Sequence, residues 1–433
     1  MQPETLYRYY QQCPHVCTDT RAIKPHSLFF ALKGDRFNGN TFAAEAISLG
    51  ARYAIIDEPR YRQDDRFLLV PDVLEALQGL AQYHRSQLQI PVIGITGSNG
   101  KTTTKELLYT VLSRKFNTFA TQGNLNNHIG VPLSLLAVNP QTQLAIIEMG
   151  ANHPGEIAFL CDIAQPSHGL ITNVGKAHLE GFGGFEGVKK TKGELYDYLA
   201  LHGGTVFLQH DNPLLAEMTT TRHIGHPVTY GFSEDNNISG TLRNANPVLE
   251  LSWSVRGQAE QHLISTQLTG AYNTENVLAA ICVGHHFGVS DTDINSALAD
   301  YTPTNNRSQL TKTAKNTVIC DYYNANASSM AAALENLSLI KADHKVIILG
   351  DMFELGSAAF EEHLKLVQQA CSEGADRVLF VGAEFNRHKR PGAEFYETTA
   401  EAKAALQQRP VNGALVLLKA SRSMAFEKLV SDL

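Results

Sequence analysis

The sequence is poor in the features that mark secreted, membrane-spanning or nucleic-acid-binding chains. Six cysteines are scattered over 433 residues and no two form a Cys-x-x-Cys pair. That spacing gives neither a disulfide framework nor a zinc site, and free thiols are expected. No apolar run approaches the roughly 18–20 residues that a bilayer-spanning helix needs. The first twenty residues carry Glu4, Arg8 and Asp19 and no apolar centre, unlike a secretory leader. Positive charge is not in excess: 36 Lys+Arg against 43 Asp+Glu leaves −7, so no nucleic-acid or anionic-membrane surface is indicated. Internal repeats, low-complexity tracts and heptad seams are also missing. What is present is 43% hydrophobic and 18% charged, a globular composition. At about 150 residues per domain, the length suggests three domains. A cytoplasmic monomer with neither nucleic-acid partner nor membrane insertion is expected.

The apolar pattern divides the chain into three α/β units. Residues 1–85 alternate short strands (Ser27–Leu32, Tyr53–Ile56, Phe67–Val70) with a helix near Phe42–Leu49. A helical stretch, Val73–Leu88, then ends before Pro91. Residues 86–300 place buried-type strands at Val92–Thr96, Leu144–Glu148, Gly169–Asn173 and Thr205–Leu208 between helices, which predicts a mainly parallel sheet. Val248–Val255 and His262–Leu268 add an antiparallel part, and a helix from Asn273 to about Phe287 closes the unit. Residues 301–433 restart the alternation with strands at Thr317–Asp321, Lys345–Gly350, Arg377–Gly382 and Ala414–Lys419, each followed by a helical pattern. A Rossmann-like unit is expected there.

The strongest local signal is Gly97-Ser-Asn-Gly-Lys-Thr102 between a buried strand and a helix. Backbone N–H groups of such a turn, with the positive helix end, make an anion cradle. Gly97, Ser98, Asn99, Gly100 and Thr103 would line it, Lys101 would reach the β- and γ-phosphates, and Thr102 would offer a hydroxyl to Mg²⁺. Ile95 stands where longer loops of this kind carry their first glycine, so this is the shorter form. No Asn-Lys-x-Asp element for reading guanine is present. Glu148 ends a buried strand and precedes Met149-Gly150. Its position suits a Mg²⁺ ligand, with a solvated strand-end acid as the plainer reading.

Several chemically unrelated runs follow in order: Gly123–Pro132 (GNLNNHIGVP), Glu148–Ile157 (EMGANHPGEI), Thr172–Gly181 (TNVGKAHLEG), Lys192–Tyr196 (KGELY), Gly270–Asn276 (GAYNTEN), Asp321–Met330 (DYYNANASSM) and Leu349–Gly356 (LGDMFELG). Together with the phosphate loop they resemble the Mur ligases over about residues 19–356. Within that family the resemblance is to the member that joins D-alanyl-D-alanine to UDP-N-acetylmuramoyl-tripeptide in peptidoglycan precursor synthesis. The resemblance implies an ATP- and Mg²⁺-dependent ligase. The γ-phosphoryl group passes to the tripeptide carboxylate, the dipeptide amine attacks the acyl phosphate, and phosphate leaves.

Carried over residue by residue, the resemblance gives Lys101, Glu148, His178, Lys192 and Arg307 the catalytic roles. Thr102, Glu148, His178 and Lys192 are the implied metal ligands, Lys192 as a carbamate. The alternative for Lys192, beside Lys189 and Lys190, is a solvated basic helix face. Asn276 is implied at the adenine, Arg307 at the γ-phosphate and Asp321 at the ribose. Thr20, Arg21 and Lys33 are implied at the UDP-sugar, and Asn124, Asn126 and Asn127 at the peptide or sugar, where an Asn-rich turn is the alternative. Asn324 and Asn326 would receive the dipeptide, with Asp351 and Phe353 at its edge. Two rival functions differ in testable features. The preceding ligase, which adds the third amino acid, carries an Asp-Asn-Pro-Arg motif in its C-terminal domain; here the only Asp-Asn-Pro is Asp211–Pro213, followed by Leu214. A non-catalytic nucleotide switch would have no need for so many charge-handling residues.

Overall fold

A computed structural model describes all of residues 1–433. Three separate sheets order the chain. The first has four parallel strands in the order Val16–Cys17, Leu28–Phe30, Tyr53–Ile56, Phe67–Leu69. The helix Val73–Gln87 leaves it, started by the Asp72 carboxylate, which accepts from the Glu75 N–H, and stopped where Leu88 turns extended. An N-terminal helix, Pro3–Tyr10, and a small hairpin at Lys33–Asn38 add to the expected elements.

The second sheet has nine strands. Val92–Thr96 lies at its heart, flanked by His168–Ile171 and Leu144–Glu148 in parallel register. Thr118–Ala120 forms one edge, and the other side runs through Thr205–Gln209, Val228–Gly231 and Ile238–Ala245 to the antiparallel strands Leu249–Val255 and His262–Ser265. The mainly parallel sheet with an antiparallel part is therefore as expected, although the pattern had not indicated the strands Thr118–Ala120, Val228–Gly231 and Ile238–Ala245. They are short or carry polar residues on one face, so they lack the continuous apolar run that marks a doubly covered strand. The third sheet has six strands, with Thr317–Asp321, Leu415–Lys419 and Lys345–Gly350 at its centre and Gln309–Lys312 as an antiparallel edge. One expectation fails here. Leu415–Lys419 is followed by two short 3₁₀ segments, Arg422–Met424 and Phe426–Asp432, rather than an α-helix.

The cores show how the units are joined. One apolar cluster runs from Leu6, Leu28 and Leu77 of the N-terminal part into Val131, Ile147 and Leu195 of the central part. Arg85, largely buried, adds two hydrogen bonds across the same seam. Its guanidinium donates to the carbonyls of Ala164 and Gln165, satisfying the C-terminal end of the helix Glu156–Ala164, and to the carbonyl of Leu88 at the end of its own helix. The C-terminal sheet instead keeps two cores of its own, one on each face. Its contacts with the central part are polar: Asn336 to Thr269, Lys341 to Asn246, Lys176 to Glu362 and the Asn99 contacts described below. Leu77→Ala should therefore cost about 2–5 kcal/mol in the first two units together. Urea unfolding followed by limited proteolysis should show both loosened and the C-terminal unit unchanged.

Candidate active site

The C-terminal ends of three adjacent central strands meet at the phosphate loop, the position where open α/β sheets bind ligands. Gly97, with φ at +145°, leaves the strand so close to Thr172 that a Cβ would collide with the Thr172 hydroxyl. Gly100 begins the helix Lys101–Leu112 with φ at +79°, and a Cβ there would lie 2.7 Å from Asn276 Oδ1. Both positions need glycine for conformation and for close approach. The turn itself is braced against residues 172–175. Ser98 N–H donates to the Asn173 carbonyl, Asn99 N–H to Asn173 Oδ1, and Thr172 Oγ1 to the Asn99 carbonyl. The N–H groups of Lys101, Thr102 and Thr103 occupy the first helical turn, where no intrahelical acceptor exists. They are the donors left for phosphate.

Lys101 folds back over this turn and donates to the carbonyls of Gly97 (2.7 Å) and Ser98 (3.3 Å). Burial lowers its pKa, against the pull of Glu148. Glu148 is 1% exposed. Its carboxylate accepts from Thr102 Oγ1 at 3.0 Å and Asn126 Nδ2 at 2.8 Å, with Lys105 Nζ 3.7 Å away. Lys192, on the helix Phe185–His202, is 2% exposed and sits 5.3 Å over the Phe182 ring. Burial, and then the Lys101 charge, pull its pKa down to about 7. His178 has a left-handed backbone at the start of a short helix. Its Nδ1 faces the Glu354 carboxylate of the C-terminal unit, off the hydrogen-bonding direction. Burial lowers its pKa while that carboxylate opposes the shift.

Opposite these groups stands the C-terminal wall of a cleft of about 790 Å³. Arg307 lies flat over Tyr323, 3.8 Å from the ring centroid. The linker that carries it is pinned to the phosphate-loop helix by Glu106, which accepts from Tyr301 Oη and Asn305 Nδ2. Asp321 accepts from Lys419 Nζ at 2.6 Å and from the Ser308 N–H. A phosphate cradle, a buried carboxylate, a buried lysine of lowered pKa and an arginine from a separate unit thus share one cavity.

Sequence models of one family match along almost the whole chain: Mur ligase family, catalytic domain at residues 14–85, Mur ligase middle domain at 95–284, and Mur ligase, glutamate ligase domain at 306–422. The UDP-N-acetylmuramoyl-tripeptide–D-alanyl-D-alanine ligase of Bacillus subtilis is 34% identical over 440 residues, covering 98% of this chain and 94% of that protein. The chain belongs to the Mur ligase family. Among solved structures, MurF from Acinetobacter baumannii superposes with a TM-score of 0.88 at 31% identity, covering 100% of this chain and 98% of the other. MurF ligase from Thermotoga maritima in complex with ADP gives 0.86 at 26% identity, covering 98% and 97%.

In this Mur ligase the cleft gathers Gly97–Thr103, Asn124, Asn126, Asn127, Glu148, His178, Lys192, Asn276, Arg307, Asp321, Asn324 and Asn326. Thr20, Arg21 and Lys33 are not part of its lining. Arg21 pairs with Asp19 at the surface, and Lys33 pairs with Asp57 and Glu58. Four expectations change in detail. The Asn126 amide is spent on Glu148. Asn127 Oδ1 accepts from the Ile129 and Gly130 N–H groups, the Asx-turn use of such a residue. The Asn99 side chain leaves the cradle for the C-terminal unit. Asp351 is a buried cap, accepting from the Glu384 and Phe385 N–H groups. Asn276 braces the loop as well as lining the cleft, accepting from Thr104 Oγ1 and donating to Asn273 Oδ1. Sequence reasoning missed Lys419, Tyr323 and Ser328 in the lining; only the alternation that places Lys419 at a strand end hinted at the first.

Gly100→Ala meets both a positive φ and the Asn276 amide. Calorimetric titration with ADP should show at least about a tenfold loss of affinity, from backbone strain and a displaced cradle. Unchanged affinity would remove this loop from the nucleotide site.

Proposed function

We propose that this chain is the ATP-dependent ligase that joins D-alanyl-D-alanine to UDP-N-acetylmuramoyl-tripeptide in peptidoglycan precursor synthesis, forming ADP and phosphate. One observation carries the reading: a relative named for that reaction is matched over 98% of this chain. The cleft supplies the chemistry such a reaction needs. A carboxylate is a poor electrophile, and phosphoryl transfer from ATP gives it a leaving group. The dipeptide amine then forms the C–N bond as the C–O bond to phosphate breaks, and the ammonium loses its proton.

This chain's groups suit those steps. The N–H groups of Lys101, Thr102 and Thr103, with the Lys101 ammonium, bind the transferring phosphates. Arg307 faces them from the opposite wall and neutralises charge developing on the γ-phosphoryl oxygens. Asp321 and Lys419 form a polar edge for the ribose, and Asn324 offers an uncharged amide to the dipeptide.

The donor set also fits Mg²⁺. Thr102 Oγ1 and Glu148 supply hard oxygen atoms at one buried point, the His178 imidazole lies beside them against the Glu354 carboxylate, and a carbamate on Lys192 would add an anionic oxygen. When bound, Mg²⁺ neutralises phosphate charge. Lys192 is prepared for carbamylation by its lowered pKa, because only the neutral amine attacks CO₂. Since the pKa lies near 7, the neutral fraction rises as pH rises from 6 to 8.

The structure gives the preceding ligase no support. Asp211 accepts from the Phe232 and Ser233 N–H groups and Asn212 caps the helix Pro213–Thr220, within the central unit. No helix is long and apolar enough to cross a membrane. We place the reaction in the cytoplasm, with ATP and the UDP-linked precursor.

Phosphate release from ATP should require both UDP-tripeptide and D-alanyl-D-alanine; release indifferent to both would discard the ligase reading. Lys192→Ala should lose about 10- to 100-fold in activity. Lys189→Ala should stay within about twofold, since Lys189 makes only a surface pair with Glu217. Wild-type activity should climb from pH 6 to 8 and respond to added bicarbonate, and the Lys192→Ala residual should do neither.

A further inference from the structure

The phosphate loop and the C-terminal unit meet through three side chains that hydrogen-bond in a ring. Asn99 Nδ2 donates to Ser328 Oγ at 2.9 Å. Ser328 Oγ donates to Asn326 Oδ1 at 3.0 Å. Asn326 Nδ2 donates back to Asn99 Oδ1 at 2.8 Å. Each residue gives one bond and takes one, so the ring is closed and directional, a cooperative arrangement.

Both ends of the ring are held rigidly. Asn99 N–H and carbonyl are bonded to Asn173, and the carbonyl also to Thr172, so its backbone cannot swing. Asn326 is the N-cap of the helix Ala327–Leu339. Its Oδ1 also accepts from the Ser329 N–H, and the Ser329 hydroxyl answers to the Asn326 backbone. Gly175 roofs the ring: a Cβ there would lie 2.8 Å from Ser328 Oγ and 3.4 Å from Asn99 Nδ2. No apolar core spans this seam, so directional polar contacts, this ring among them, contribute most of what sets the C-terminal unit over the cradle.

We propose that Asn99 is a positioning residue: the Asn99–Ser328–Asn326 ring fixes the C-terminal unit over the phosphate loop and so couples the nucleotide cradle to capture of the acceptor substrates. The proposal rests on the ligase reading for its kinetic test but not for its structural one. Residues 324–326 approach the cleft on the same short segment as the ring, so its loss misplaces the acceptor side. The cradle made by Lys101, Thr102 and Thr103 stays intact.

Ser328→Ala, Asn99→Ala and the double variant test this in the full-length protein. Each single variant should lose about five- to tenfold in kcat/KM for the acceptor substrates, as expected for breaking one or two hydrogen bonds. For Ser328→Ala, the dissociation constant for ADP, measured without acceptors, should move less than about twofold. The double variant should be no more than about twofold worse than the worse single, because either change opens the same ring. Small-angle scattering should show a larger radius of gyration for Ser328→Ala than for wild type at equal melting temperature. Additive losses, or an ADP affinity that falls in step with kcat/KM, would overturn the proposal. If wild type fails to ligate, the ligase reading falls and the scattering comparison decides alone: an unchanged radius removes the ring as a brace.

Discussion

A carboxylate that is 1% exposed at the end of a central strand is the constraint around which this cleft is organised. An isolated buried carboxylate would cost several kcal/mol or take up a proton. Glu148 instead receives the Thr102 hydroxyl and the Asn126 amide, lies 3.7 Å from the Lys105 ammonium, and has its own N–H accepted by Thr121. Those partners come from the phosphate-loop helix, from the Asn-rich turn and from the edge strand's exit. Satisfying one residue's carboxylate and N–H therefore fixes three elements relative to one another. The Asn-rich turn serves this end before any substrate arrives.

The two seams of the chain follow opposite physics. The N-terminal part shares a continuous apolar core with the central sheet, and Arg85 ties off a helix end across it. Such a seam opens only with unfolding. The C-terminal unit is complete by itself and touches the central part through amides, hydroxyls and ion pairs such as Lys176–Glu362. Polar contacts of this kind exchange readily with water and are individually worth little. The proposed reaction, which admits a UDP-linked peptide and a dipeptide and must then exclude water from an acyl phosphate, would call for one fixed seam and one reversible seam.

Legibility from sequence followed the range of the interaction. The phosphate loop, the strand that ends in Glu148 and the parallel framework are local patterns, and they appeared where the periodicity placed them. Asn126, Asn127 and Asp351 show the limit. An Asn or Asp in a polar turn has the same local signature whether it faces a ligand or closes an Asx turn or a helix cap. Only the fold shows Asn127 spending its oxygen on two N–H groups and Asp351 on two others. Lys419 and Ser328 are further from reach, because their partners Asp321 and Asn99 are separated from them by about a hundred and more than two hundred residues. No window along the chain contains both members of either pair.

Charge in the cleft carries the same lesson to function. The chain is −7 overall, yet ATP and the UDP-linked precursor of the proposed reaction are anions. Lys105 and Lys419 are each matched by a carboxylate, Glu148 and Asp321, and so hold structure together. Lys101 is satisfied only by loop carbonyls, and Arg307 only by the face of Tyr323. A cation bonded to neutral acceptors keeps nearly all its field for a ligand, while one paired with a carboxylate does not. Lys101 and Arg307 stand on opposite walls, one from the central sheet and one from the linker to the C-terminal unit. In the proposed reaction, charge neutralisation of a transferring phosphoryl group would draw on both walls at once, which would make the polar seam part of the chemistry.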